Sequence, residues 1–100
     1  MKGKVDMRNH YMTIGNNEAT ITYSNMYKLD TINCVDICIE RATKDDLIHV
    51  IIQMPFCNIK ETYGMGDNEI SYWLNFSKKN YSFIQELAYR KSTVRDSINA

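Results

Sequence analysis

Apolar and polar residues alternate most regularly near the middle of the chain, where Val35, Ile37 and Ile39 interleave with Cys34, Asp36, Cys38 and Glu40. A period of two marks a strand with one face turned to a core. After the polar stretch Thr43-Lys44-Asp45-Asp46 comes a second β-branched run, with Ile48, Val50, Ile52 and Met54 on one face and His49, Ile51 and Gln53 on the other. The two runs predict a hairpin. Pro55 has no amide proton to donate, so it ends regular pairing or marks an edge or a bulge.

Upstream, residues 10–14 and 18–23 are short β-prone runs separated by Gly15-Asn16-Asn17, residue types that tolerate positive φ. They predict a first hairpin. Residues 24–33 show no clear period and are read as a connection with at most extended pieces. Downstream, Gly64-Met65-Gly66-Asp67 reads as a flexible loop. Residues 70–76 fit two patterns: Ile70, Tyr72, Leu74 and Phe76 alternate as in a strand, whereas Ile70, Trp73, Leu74 and Ser77 share a helix face under an Asp67 cap. The aromatic content favours the strand, with Lys78-Lys79-Asn80 as the turn after it. Ser82 to Gln85 has the spacing of a capping box, and Ile84, Leu87, Ala88 and Val94 follow at helical spacing.

The expected architecture is therefore α+β: a small antiparallel sheet of four to five strands in meander-like order, with one C-terminal α-helix packed on one face. Residues 9–100 are expected to form a single domain after a flexible N-terminal arm at 1–8. A chain of 100 residues supports one core, and 44% hydrophobic with 24% charged residues is an ordinary globular composition. The longest apolar runs, such as Val50-Ile51-Ile52, are far short of the roughly 20 residues that span a bilayer. The basic start of the chain is not followed by the apolar stretch of a signal peptide, so a cytoplasmic location is expected. Cys34, Cys38 and Cys57 are odd in number and suit reduced, buried thiols better than a disulfide framework.

No catalytic, cofactor-binding or metal-binding constellation emerges, and the chain is not expected to be an enzyme. Its histidines are His10 and His49. A nucleophilic Cys34 or Cys38 beside His49 would need a depressed pKa, and the flanking Asp36 and Glu40 act the other way. Four residues along a strand separate two side chains by about 13 Å. That is too far for Cys34 and Cys38 to share a zinc ion. Gly64-Met65-Gly66 lacks the lysine and the further glycines of a phosphate loop.

Charge changes the picture more than chemistry does. The formal net charge is zero, yet residues 1–17 carry +2, residues 18–69 carry −5 and residues 70–100 carry +3. On the outward face of the predicted sheet, Ile51, Trp73 and Cys38 would neighbour His49, Gln53, Asp36 and Asn75, an apolar centre with a polar rim. Trp73, Ile51, His49 and Asp36 are the expected partner-binding residues, with Asp45 and Asp46 steering a basic partner electrostatically. The abundance of Ile, Asn, Lys and Tyr is that of AT-rich coding. The expected function is accordingly a non-catalytic protein-binding domain. It would be an inhibitor or adaptor of a phage or mobile element that occupies a surface of a larger host enzyme, such as a nucleic-acid-processing nuclease. A homodimer would use the same apolar centre. The alternative is a nucleic-acid-binding regulator that uses Lys78, Lys79, Arg90, Lys91 and Arg95 with nearby aromatics.

Overall fold

The computed structural model describes residues 9–16 and 18–99, with side chains up to Lys91. The expected arm at 1–8 and the side chains of Val94 and Arg95 lie outside the described residues. Six strands and one helix follow one another: β1 (Asn9–Ile14), β2 (Ala19–Tyr23), β3 (Tyr27–Leu29), β4 (Ile32–Ala42), β5 (Leu47–Met54), β6 (Asn58–Tyr63) and α1 (Asp67–Asn99). All strand pairs are antiparallel, in the order β1-β2-β4-β5-β6, with β3 beside the start of β4. The fold is thus an antiparallel sheet with one C-terminal helix against it.

The two predicted hairpins are present. β1 and β2 pair with Ile14 opposite Ala19, and Gly15 takes φ +66 in the turn. β4 and β5 pair from Ala42–Leu47 to Val35–Met54, and Pro55 does end the ladder. Their register stacks Ile37 beside Ile52 and Ile39 beside Val50 on the inner face, with Ile21 and Tyr23 of β2 alongside. These side chains are buried, and each such aliphatic removed from water contributes about 1.5–3 kcal/mol.

Residues 58–63 form a sixth strand that the sequence pattern does not announce, and 27–29 form a short one inside the expected connection. Both edge strands carry a bulge. In β1 it falls between His10 and Met12, and in the β5–β6 pair it opposes Ile51–Ile52 to residues 59–61. An extra residue puts two neighbours on one side of the strand. Tyr11 therefore joins Met12 on the helix side, where its hydroxyl donates to Asn80 Oδ1 at 2.9 Å. Lys60 likewise joins Glu61 on the outer side. The bulge on each edge, with Lys60 and Glu61 on β6, discourages edge-to-edge pairing with other chains.

The largest departure from expectation lies at 70–80. Residues 70–76 are not a strand, Lys78-Lys79 is not a turn and Ser82 does not start a helix: all belong to α1, which begins at Asp67. Ile70 donates its amide to the Gly66 carbonyl at 3.0 Å, closing the first turn, and Asp67 and Glu69 place negative charge at the positive end of the helix dipole. Trp73, Ser77, Ile84 and Ala88 recur at helical spacing and are buried against the inner sheet face, whereas Tyr72 is exposed. A strand at 70–76 would have placed Tyr72 in that core and broken this longer register.

α1 runs antiparallel to β4. Glu69 in its first turn binds Arg41 near the end of β4, and Tyr89 five turns later lies beside Asn33 near the start of that strand. The Arg41 guanidinium forks onto Glu69 with Nε to Oε2 at 2.5 Å and Nη2 to Oε1 at 2.7 Å. The Trp73 indole N–H donates to the same carboxylate at 3.2 Å, so one acidic residue ties sheet, helix and core together. The Ser77 and Tyr81 hydroxyl oxygens are buried without a hydrogen-bond partner among the described residues.

Candidate functional site

The helix covers one sheet face; the other carries Cys34, Asp36, Cys38 and Glu40 from β4 and Leu47, His49, Ile51 and Gln53 from β5. No second layer lies over it among the described residues. Even so Asp36, His49 and Gln53 are less than a tenth exposed. Long side chains from β3 and β6 fold across the face and supply the burial.

Asp36 is the centre of one network. Lys60 reaches across from β6 to its Oδ2 at 2.7 Å, and the Tyr27 hydroxyl donates to its Oδ1. Ser24 Oγ accepts the Asp36 amide at 2.9 Å. Gln53 Nε2 donates to the Tyr27 oxygen at 3.0 Å, and the Lys60 ammonium lies 5.5 Å from the centre of the Tyr27 ring. Hydrogen bonding to Asp36 holds the Lys60 ammonium charged to a higher pH than usual, while burial first, and then Asp36, pushes the Tyr27 phenol up.

His49 is the centre of the second network. Its Nε2 lies 2.6 Å from Glu61 Oε2, and its ring stacks on Tyr63 with centroids 6.2 Å apart. Tyr63 donates to Asp46 Oδ2 at 2.5 Å, while Asp46 Oδ1 accepts the Leu47 amide at 2.8 Å. Those two bonds, the Tyr63 one foremost, hold the Asp46 carboxyl below the usual carboxylate range. Glu40 stands directly opposite His49 in the ladder.

Cys38 lies between Thr22 and Ile51 in register and is fully buried. Burial, reinforced by the charges of Glu40 and Glu61, pushes its thiol up to about 12. A thiol held protonated is a poor nucleophile, and His49 on the neighbouring strand is engaged with Glu61. All three cysteines are free thiols. Among the described residues, no three His, Cys, Asp or Glu side chains are placed to hold a metal ion.

Of the residues singled out from sequence, Asp36, His49 and Ile51 do share the outer face, and Asp45 and Asp46 sit in the turn at one end of it. Trp73 does not. It is 5% exposed and packs under the helix on the opposite side of the sheet, edge-on to Phe76 at 5.4 Å and to Tyr72 at 4.9 Å. Asn75 is likewise on the helix. The apolar part of the outer face is instead Ile51 with the exposed Leu47 and Tyr63. Lys60, Glu61 and Tyr63 escaped sequence reasoning because they belong to β6, and Tyr27 because it belongs to β3. Lys78, Lys79, Arg90 and Lys91 are all exposed on α1, with Arg90 Nε 2.9 Å from Glu86 Oε2. An open hollow of about 230 Å³ beside Met26, Asn33, Gln85 and Tyr89 brings together no catalytic groups.

The chain matches no protein-family model, no curated protein and no solved structure. No helix among the described residues is long and apolar enough to cross a membrane.

Proposed function

We propose that the protein is a non-catalytic binding domain that presents the outer face of its sheet to a basic surface on a larger protein, as an inhibitor or adaptor. The supporting observation is the composition of that face: Ile51, Leu47 and Tyr63 provide apolar contact, and Glu40, Glu61, Asp45 and Asp46 surround them with negative charge. Lys60 is its counter-cation and is spent on Asp36. Apolar contact supplies affinity, and complementary charge supplies steering and orientation. A cytoplasmic enzyme with a nucleic-acid groove has the matching basic surface, and occupying that groove would inhibit it.

The test uses a photo-crosslinking amino acid at position 51, with a control at the exposed Ser71 on the helix, in lysate treated with nuclease. A protein that crosslinks from 51 and not from 71, and is lost with Glu40→Lys/Asp45→Lys at an unchanged melting temperature, supports the reading. Association that is insensitive to salt, or that needs nucleic acid, refutes it.

A further inference from the structure

Beside its buried stripe the helix carries a second row of apolar side chains that the described residues leave largely open. Tyr72, Phe76, Phe83 and Leu87 follow one another at intervals of four, seven and four residues. Eleven residues complete close to three turns, so Phe83 lines up with Tyr72 and Leu87 with Phe76, and the row runs straight along α1 for about 22 Å. It lies about 100° around the helix from Trp73, Ser77, Ile84 and Ala88. Tyr72 is 60%, Phe83 64% and Leu87 37% exposed, and Phe76 is half-buried. Tyr72 and Phe76 each meet the Trp73 ring edge-on, which fixes the start of the row against the core. Lys79 occupies the gap of seven on the same side, with no ion-pair partner among the described residues, while Arg90 beyond the row is engaged with Glu86.

We propose that this row is the contact between two copies of the chain, packed helix to helix in antiparallel order about a two-fold axis. The spacing four, seven, four reads the same in both directions. An antiparallel copy therefore sets Tyr72 against Leu87 of the partner subunit and Phe76 against Phe83 of the partner subunit, with the axis between Lys79 and Asn80. A two-fold interface needs such a self-complementary patch, because every contact in it is made twice. Antiparallel order also brings the acidic first turn, Asp67 and Glu69, toward the end of the other helix that carries Arg90 and Lys91, where parallel order would set like charge and like dipole ends together. The exposed apolar part of the row is about 300–350 Å² per copy, from the area that rings of this size bury. About 57% of an interface is apolar, so the contact would bury about 1,200 Å² in total, the lower edge of the range for a specific dimer. Lys79 near the axis fixes the register at a cost in affinity, as a lone lysine does in the seam of a coiled coil. The pair is independent of the outer sheet face and leaves both copies of that face uncovered.

The experiment is sedimentation equilibrium of the full chain, which should show a reversible equilibrium between 11.7 kDa and twice that mass. Phe83→Ala should weaken the dimer at least tenfold, and Lys79→Leu should tighten it at least tenfold by completing the row. Salt should tighten it as well, because it screens the two lysines near the axis. Leu47→Ser on the sheet face should leave it unchanged. Register is read from Tyr72→Glu and Leu87→Lys: each alone weakens the dimer, and an equal mixture of the two restores it, since the antiparallel pair then sets the new acid against the new base. Circular dichroism confirms that each variant is folded, as expected for exposed positions. A chain that stays monomeric up to about 0.5 mM overturns the pair, whether or not the row captures anionic vesicles or the helix of another protein. A dimer that is indifferent to Phe83→Ala and Lys79→Leu, or that Leu47→Ser abolishes, lies on another surface and overturns it too. A mixture of Tyr72→Glu and Leu87→Lys chains that stays monomeric refutes the antiparallel register.

Discussion

Replacing Trp73 by Ala decides between two pictures of the molecule. If residues 70–76 were a strand with the indole on an outward binding face, the truncation would cost association and little stability. In the structure the indole is 5% exposed between the helix and the sheet, among the side chains of the core. Removing a buried Trp side chain costs about 3–5 kcal/mol, from lost transfer free energy and the cavity left behind. The bond from the indole N–H to Glu69 is lost as well, although Glu69 keeps Arg41. Against a total stability of about 5–15 kcal/mol for a domain this size, that removes a large share of what holds the fold. Each kcal/mol lowers the melting temperature of a domain of this length by about 4–8 °C, so the midpoint should fall by about 12–40 °C. Urea denaturation followed by far-ultraviolet circular dichroism measures the loss. Trp73 is the single tryptophan of the chain, so its native emission reports directly on burial. A cost below about 1 kcal/mol, together with indole emission at the wavelength of water-exposed tryptophan, would refute the placement of α1.

Two further measurements probe the helix and its anchor. Lys79→Pro falls in the interior of α1, where a missing amide and a ring clash cost about 3 kcal/mol or more; in a turn after a strand the same change would be tolerated. Arg41 holds the Glu69 carboxyl below its ordinary range, so the ion pair contributes stability that is present above the unfolded carboxyl pKa and is lost as pH falls through the folded value. Arg41→Gln should therefore flatten the acid limb of the stability profile below about pH 5, measured by urea midpoints at a series of pH values. An unchanged acid limb would mean that the fork does not form in solution.

What could be read from the sequence depended on how many faces of an element spoke at once. β4 and β5 were legible because both faces alternate over the whole length of the pair, and the outer-face grouping of Asp36, His49 and Ile51 follows from that parity alone. β6 was not: in Asn58–Tyr63 the bulge interrupts the alternation, and the strand has an exposed, mostly polar sequence. Lys60, the cation on Asp36, and Glu61 and Tyr63, the partners of His49, were lost with it, and Tyr27 was lost with the three-residue β3. At 70–76 a short window serves both periods, since aromatic residues favour strands and Ile70, Trp73 and Leu74 also share a helix face. Ser77 falls inside the buried stripe and hides the helical register that continues through Ile84 and Ala88. Lys78-Lys79 and the Ser82–Gln85 spacing then imitate a turn and a helix start that do not occur.

The outer face also shows why a sheet can leave one side without a covering layer and still bury carboxylate and imidazole groups. The Asp36 carboxylate is reached by the Lys60 ammonium and the Tyr27 phenol from two different strands, while its backbone amide donates to the Ser24 hydroxyl. A buried charge is tolerated only when paired and hydrogen-bonded in this way. Such a carboxylate is unavailable to a partner, because releasing it would strand Lys60 and Tyr27. Glu61 and Asp46 are similarly engaged, with His49 and Tyr63. Glu40 and Asp45 have no ion-pair partner among the described residues, so charge on this face is uncommitted at the end where the β4–β5 turn lies. Leu47 and Tyr63 are exposed at that same end. Apolar contact and unspent charge therefore coincide beside the Asp45-Asp46 turn. There a basic partner would find the lowest desolvation cost, while the Asp36 network behind it keeps the face rigid.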